Sequence, residues 1–217
     1  PLPVQPHKLV RAPNAVGVVF VGNLMGVPLR IAPLTSWPSY RALNLMPSLV
    51  EEAPMLMERL AAFFHDLPRE FGGRAPIYAL EVRNAEMLTP RMMKTLAGVA
   101  VRYCIGLHDR MPEVERQEAA LKVLDGDTPG DLVVRWNLHR GFLYQAAKQR
   151  YEPFDRLVDE DPETRRTLAR MAARAFRAGR RVWITVNNKA EGSAPLSVAK
   201  LAEEIAAALG TAEPREQ

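Results

Sequence analysis

The side chains best equipped for chemistry in this chain crowd the ends of four short apolar runs. Glu81 and Arg83 close the first, and His108 and Asp109 close the second. Arg135, Asn137 and His139 leave the third. Asn187, Asn188 and Lys189 leave the fourth, just before the turn Glu191-Gly192-Ser193. A carboxylate such as Glu81, or imidazoles such as His108 and His139, can give or take a proton, which makes these three the candidate catalytic groups. Arg83 and Arg135 carry the forked donors that clamp anions, and Asn137, Asn187, Asn188 and Lys189 add ligand-binding reach. Gly192 and Ser193 stand at the start of a helix, where backbone amides could hold an anion or Ser193 could simply cap.

What could bring these groups together is alternation. Successive side chains of a strand point to opposite faces. Ala79, Glu81 and Arg83 therefore share a face. Cys104, Gly106 and His108 form the matching face of the second run, Val133, Arg135 and Asn137 that of the third, and Trp183, Thr185 and Asn187 that of the fourth. The opposite faces are wholly apolar: Tyr78, Leu80 and Val82; Tyr103, Ile105 and Leu107; Leu132, Val134 and Trp136; Val182, Ile184 and Val186. Such strands pack under helices on one side and turn polar toward their carboxyl ends on the other. Glu81, with Arg83 and Arg135 in reach, is then either the heart of a site or part of a structural ion-pair layer.

The elements follow the same logic. We read strands at Ile77–Arg83, Val101–His108, Leu132–Asn137 and Val182–Asn187. The helices between and after them span Thr89–Ala97, Pro112–Leu124, Asp161 to Gly179, and Pro195–Leu209, with a short piece at Gly141–Arg150. An earlier helix carries the stripe Leu56, Leu60, Phe63, Phe64 and Leu67. Ser48 and Glu51 form its capping box, and Pro54 either kinks or starts it. The helix from Asp161 carries the stripe Leu168, Met171, Ala172, Ala175 and Phe176. Its arginines Arg166, Arg170, Arg174 and Arg177, with Arg181 beyond, read as a solvated outer face rather than a nucleic-acid surface. Strand and helix alternate without a hairpin signal, so the fold class is α/β with parallel strands. Residues 1–40 resist this reading, with Val16–Val21 and Leu29–Ile31 as strand candidates broken by Gly and Pro.

Composition narrows the class further. The chain has 217 residues, 47% of them hydrophobic and 25% charged, as a globular core requires. Its net charge of +4 comes mostly from arginine, a mild and scattered excess that reads as a coding bias rather than as the mark of an acidic partner. The one cysteine, Cys104, excludes an internal disulfide and lies in an apolar strand as a small core residue. No apolar run is long enough for a membrane span, no signal peptide is visible, and the cytoplasm is the expected setting. The proline-rich start without methionine leads us to expect a fragment or a non-native leader over 1–40, and a frayed tail over 211–217. There is no Gly-rich phosphate loop, no Gly-x-Ser-x-Gly elbow and no metal-ligand spacing, so no cofactor or metal is assigned.

The exits "YALEVRN", "RWNLHRG" and "VNNKAEGSAPLS" resemble the domain-of-unknown-function 72 family, the YecE-like barrels. The resemblance covers about residues 45–210 and is strongest from Ile77. It implies a parallel, TIM-like β/α barrel whose biochemical function is not settled. Its usual strand ends read Glu-x-Arg-His, Arg-x-His-Gly and Phe-Asn-Asn. Here Glu81 and Arg83 match the first, but Asn84 replaces the histidine. Arg135 matches the second, with Asn137 in place of the histidine, and Asn187 and Asn188 match the third. The family's opening Gly-Thr-Ser-Gly-Trp and Glu-Val-Asn strands have no counterpart, so the barrel is expected to be incomplete, holding strands four or five through eight.

Three functions compete at this level. One is a site for a small anionic or sugar-like ligand, with Glu81 as acid or base. Another is a metal-dependent, endonuclease-like barrel acting on nucleic acid, for which only Glu81, His108, Asp109 and His139 are at hand. The last is an inactive truncated product that associates with itself through an open sheet edge.

Overall fold

The computed structural model describes residues 18–21, 53–70, 73 and 75–210. Five strands run parallel in one sheet in the order of the chain: β1 Val18–Val21, β2 Ile77–Glu81, β3 Arg102–Leu107, β4 Leu132–Trp136 and β5 Val182–Val186. The helices are α1 Ala53–Asp66, α2 Pro90–Gly98, α3 Val114–Asp125, α4 Tyr144–Tyr151, α5 Pro162–Arg177 and α6 Ala194–Gly210. A short 3-10 turn at Ala85–Met87 follows β2. Each strand therefore sits beside its successor, the order of a barrel-like β/α sheet rather than of a doubly wound one. The strand candidate Leu29–Ile31 and the Ser48–Glu51 capping box lie outside the described residues.

Local signals set the helix starts. Thr89 Oγ1 accepts from Met92 N at 3.2 Å, ahead of Pro90 in the first turn of α2. Asp161 Oδ1 accepts from Thr164 N at 3.0 Å and caps α5, again ahead of a proline. Pro54 stands in the first turn of α1, so the helix starts there rather than kinking.

The two faces of the sheet separate as alternation requires. Tyr78, Leu80, Val82, Tyr103, Ile105, Leu132, Val134 and Trp136 join Phe63, Phe64, Met92, Met93, Leu96 and Leu168 in one core under the helices. Ala79, Cys104 and Val133, with Trp183 packed on them, form a separate cluster on the opposite face. Cys104 is fully buried, and burial pushes its thiol well above the ordinary range, which suits a core residue and not a nucleophile.

One expectation needs correction. Phe176 does not complete the α5 stripe: it is 64% exposed, because α5 turns that side to solvent while Leu168, Met171, Ala172 and Ala175 are buried. Arg166, Arg170 and Arg177 of α5, and Arg181 beyond it, stand on an exposed face as expected, and most of the row is also tied to partners. Arg170 and Arg174 reach Glu118 on α3 at 2.7 and 3.2 Å, Arg177 donates to the carbonyl of Ala208 at 2.6 Å, and Arg181 pairs with Asp131 at 2.7 Å. Burial alone would raise the Glu118 carboxyl, but its bonds to Arg170 and Arg174 outweigh that and hold it below the usual carboxylate range.

Candidate functional site

Glu81 is the last residue of β2 and its side chain is only 2% exposed. Three donors surround it. Arg135 Nη1 donates to Oε2, Asn137 Nδ2 donates to Oε1 at 3.1 Å, and Arg83 Nε lies 3.5 Å from Oε1. Space for the carboxylate comes from the strand between them. Gly106 of β3 has no side chain, and a Cβ placed there would meet Glu81 Oε1 at 3.3 Å and Cγ at 3.4 Å. The carboxylate thus leans across β3 to reach β4.

That glycine is held from the helix side by a residue the sequence reading missed. Gln117 of α3 is fully buried. Its Oε1 accepts from Gly106 N at 3.1 Å and from Tyr103 OH at 2.7 Å, and its Nε2 donates to the carbonyls of Gly106 and Pro112 at 3.0 and 2.7 Å. One amide therefore satisfies both backbone groups of the residue beneath Glu81. The only sequence signal is its place in the buried row Val114, Gln117, Leu121, where a glutamine reads as an interruption.

The polar network continues outward. Arg83 Nη1 lies 3.4 Å from His108 Nε2, and His108 Nδ1 contacts Asp109 Oδ1. A guanidinium can only donate, so Nε2 is its acceptor, while Nδ1 faces both the Asp109 carboxylate and, at 3.4 Å, the Arg110 amide. Burial lowers the affinity of His108 for a second proton. Asp109 works against that and Arg83 with it, and the net direction is down.

His139 does not join this cluster. β4 ends at Trp136, and the chain then turns so that His139 packs edge-on against Phe142, ring centroids 5.2 Å apart. It meets His108 only across a cavity of about 300 Å³, which Asp109, Glu113, Arg140 and Thr164 also line.

At the end of β5 the residues divide. Asn187 Oδ1 accepts from Lys189 N at 3.0 Å and faces Lys189 Nζ at 3.4 Å. Asn188 Oδ1 accepts from Ala194 N at 2.8 Å and so caps α6. Gly192 adopts φ +117, and a Cβ there would lie 2.5 Å from the carbonyl oxygen of Arg156. Glu191, fully buried, takes the guanidinium of Arg165 and the amide of Asp161, the latter at 2.7 Å. Gly192 and the buried Ser193 therefore belong to a turn packed against the 156–161 segment, with Asn188 serving its fold.

Among the described residues, no three of His, Cys, Asp and Glu come together as metal ligands. No helix among them is long and apolar enough to cross a membrane.

Comparison with known proteins adds the family. No curated protein matches the chain. A crystal structure of a DUF72 family protein from Enterococcus faecalis V583 is similar with a TM-score of 0.43 at 18% sequence identity, over 77% of this chain and 58% of that one. The model of the family described as "Protein of unknown function DUF72" matches residues 29–217, which takes in the four strand exits described above. The chain belongs to the DUF72 family.

Proposed function

We propose that the carboxyl ends of β2 to β5 form a binding site for a small anionic or sugar-like molecule, on a sheet that is part of a TIM-like barrel. The observation that carries this is Glu81: a side chain 2% exposed, met by Arg83 from its own strand exit and by Arg135 and Asn137 from the end of β4. Here two guanidinium groups converge on one carboxylate, an excess of positive charge and of N–H donors that suits an incoming oxygen ligand. Arg83 and Arg135 act as clamps, Asn137 and Asn187 as hydrogen-bonding groups, and Glu81 as acceptor for a ligand hydroxyl and as the candidate acid or base. His108, bonded to Arg83, orients that clamp from outside.

The endonuclease-like reading has less support. Glu81 and Asp109 are committed to arginine and histidine partners, and His139 lies on the other wall of the cavity, so these four do not come together as a ligand set. The test is calorimetric titration of the protein with neutral sugars, sugar acids and sugar phosphates, repeated on Glu81→Gln. Binding by at least one class, weakened about tenfold or more in the variant, is expected. Binding of equal strength in both proteins would refute the assignment.

A further inference from the structure

We propose that Lys189 is an anion-capturing group that seats the phosphate of a small phosphomonoester, an inference that rests on the strand-end ligand site proposed above. Lys189 is only 8% exposed. Its ammonium lies 4.3 Å from the ring centroid of Tyr144, 5.6 Å from that of Phe154, and 3.4 Å from Asn187 Oδ1. No carboxylate among the described residues pairs with it. A buried cation held only by ring faces and one amide oxygen lacks the counter-charge that buried ions require. Tyr144 is itself exposed, which places the ammonium close to the surface.

The aromatic contact over Lys189 carries backbone strain. Phe154 has φ 67, a left-handed conformation that a bulky side chain rarely adopts, and its amide is anchored to the carbonyl of Tyr151 at 2.7 Å. Strain of that kind persists where the surroundings impose it, and it is common at ligand clamps. The ring that this backbone presents is one of the two over Lys189.

Position and charge point to the ligand class. Trp136 and Val186 are in register, so Asn137 and Asn187 stand on neighbouring strands about 5 Å apart. Asn137 donates to Glu81 and Asn187 accepts from Lys189. Arg83 and Arg135 share one carboxylate, Glu81, while Lys189 pairs with none among the described residues, so the strand ends stay cationic even when Asp109, held by His108, is counted. A phosphomonoester carries nearly two negative charges at neutral pH and matches this excess. The neighbouring turn cannot supply the anion site, because Gly192 N donates to Asn188 O at 2.8 Å and Asn188 takes Ala194 N.

The test titrates inorganic phosphate and glycerol 3-phosphate, with glycerol as the neutral control, into the full chain and into Lys189→Met and Lys189→Arg. The two anions should bind and glycerol should not. Lys189→Met should weaken anion binding about tenfold or more and raise the melting temperature, since an apolar chain of similar length replaces an unpaired charge. Lys189→Arg should keep part of the binding. No anion binding by the parent, unchanged binding in Lys189→Met, or a Lys189→Met protein that fails to fold would each overturn the proposal. Glu81-dependent binding of neutral sugars without any response to phosphate would overturn it and leave the site reading standing. Phosphate binding that needs Lys189 but is indifferent to Glu81→Gln would do the reverse.

Discussion

Gly106→Ala isolates the contact on which the Glu81 site is built. The new Cβ would stand 3.3 Å from Glu81 Oε1 and 3.4 Å from its Cγ. The carboxylate has little freedom to withdraw, because Arg135, Asn137 and Arg83 hold it from the other sides. Gly106 has no room to retreat either, since Gln117 bonds both its N–H and its carbonyl. Overpacking of this kind costs about 1–3 kcal/mol. Against it stands a gain of about 0.4–1 kcal/mol, because alanine narrows the unfolded ensemble and Gly106 is not in the left-handed region. We therefore expect a net loss of about 1–2 kcal/mol, seen in urea unfolding as a lower midpoint with unchanged slope. In a Glu81→Ala background the crowded atoms are gone, and the same substitution should be neutral or stabilising. The double-mutant cycle then gives a coupling of about 1–3 kcal/mol. Equal effects of Gly106→Ala in both backgrounds would refute the reasoning.

Three further outcomes follow from the same geometry. His108 has a folded pKa below its unfolded value, so the unfolded chain binds the proton first: stability should be full above about pH 6.5 and decline as pH falls below it. His108→Gln should flatten that slope in melting curves taken between pH 7.5 and 5.5, and an unchanged slope would contradict the assignment. Glu118 is depressed instead, so its contribution is present above its ordinary carboxylate range and is lost in acid. Glu118→Gln should destabilise by about 1 kcal/mol at neutral pH, a figure discounted for the exposure of Arg170 and Arg174. Lastly, β5 pairs only with β4 among the described residues and its side chains are half-buried or exposed, so the chain should associate through that edge. Light scattering on the eluted protein should then give a mass above 24.2 kDa, and a stable monomer would count against it.

The sheet was legible because its strands have one apolar face each. Tyr78, Leu80, Ile105 and Val134 entered the helix-side core as alternation required, and Glu81 met Arg135 because the same alternation put them on the other face. Strand ends were read one or two residues long, since the polar exits Val82-Arg83 and Asn187 continue the pattern after the ladder stops. Three features were not legible. His139 falls beyond the end of β4, where alternation no longer fixes direction. The partner of the α5 arginines could not be read, because Glu118 lies fifty-two residues from Arg170 along the chain. Gln117 reads as a flaw in a helical stripe, and its role exists only once Gly106 lies beneath it.

Amide chemical-shift mapping on the isotopically labelled chain tests the central claim most directly. Titration with glycerol 3-phosphate and with neutral sugars should move the resonances of residues 81–83, 106–108, 135–137 and 187–189, on four strand exits at once. The shifts should be lost in Glu81→Gln. Shifts confined to the outer face of α5, or spread evenly over the basic surface, would contradict a ligand site at the carboxyl ends of the strands.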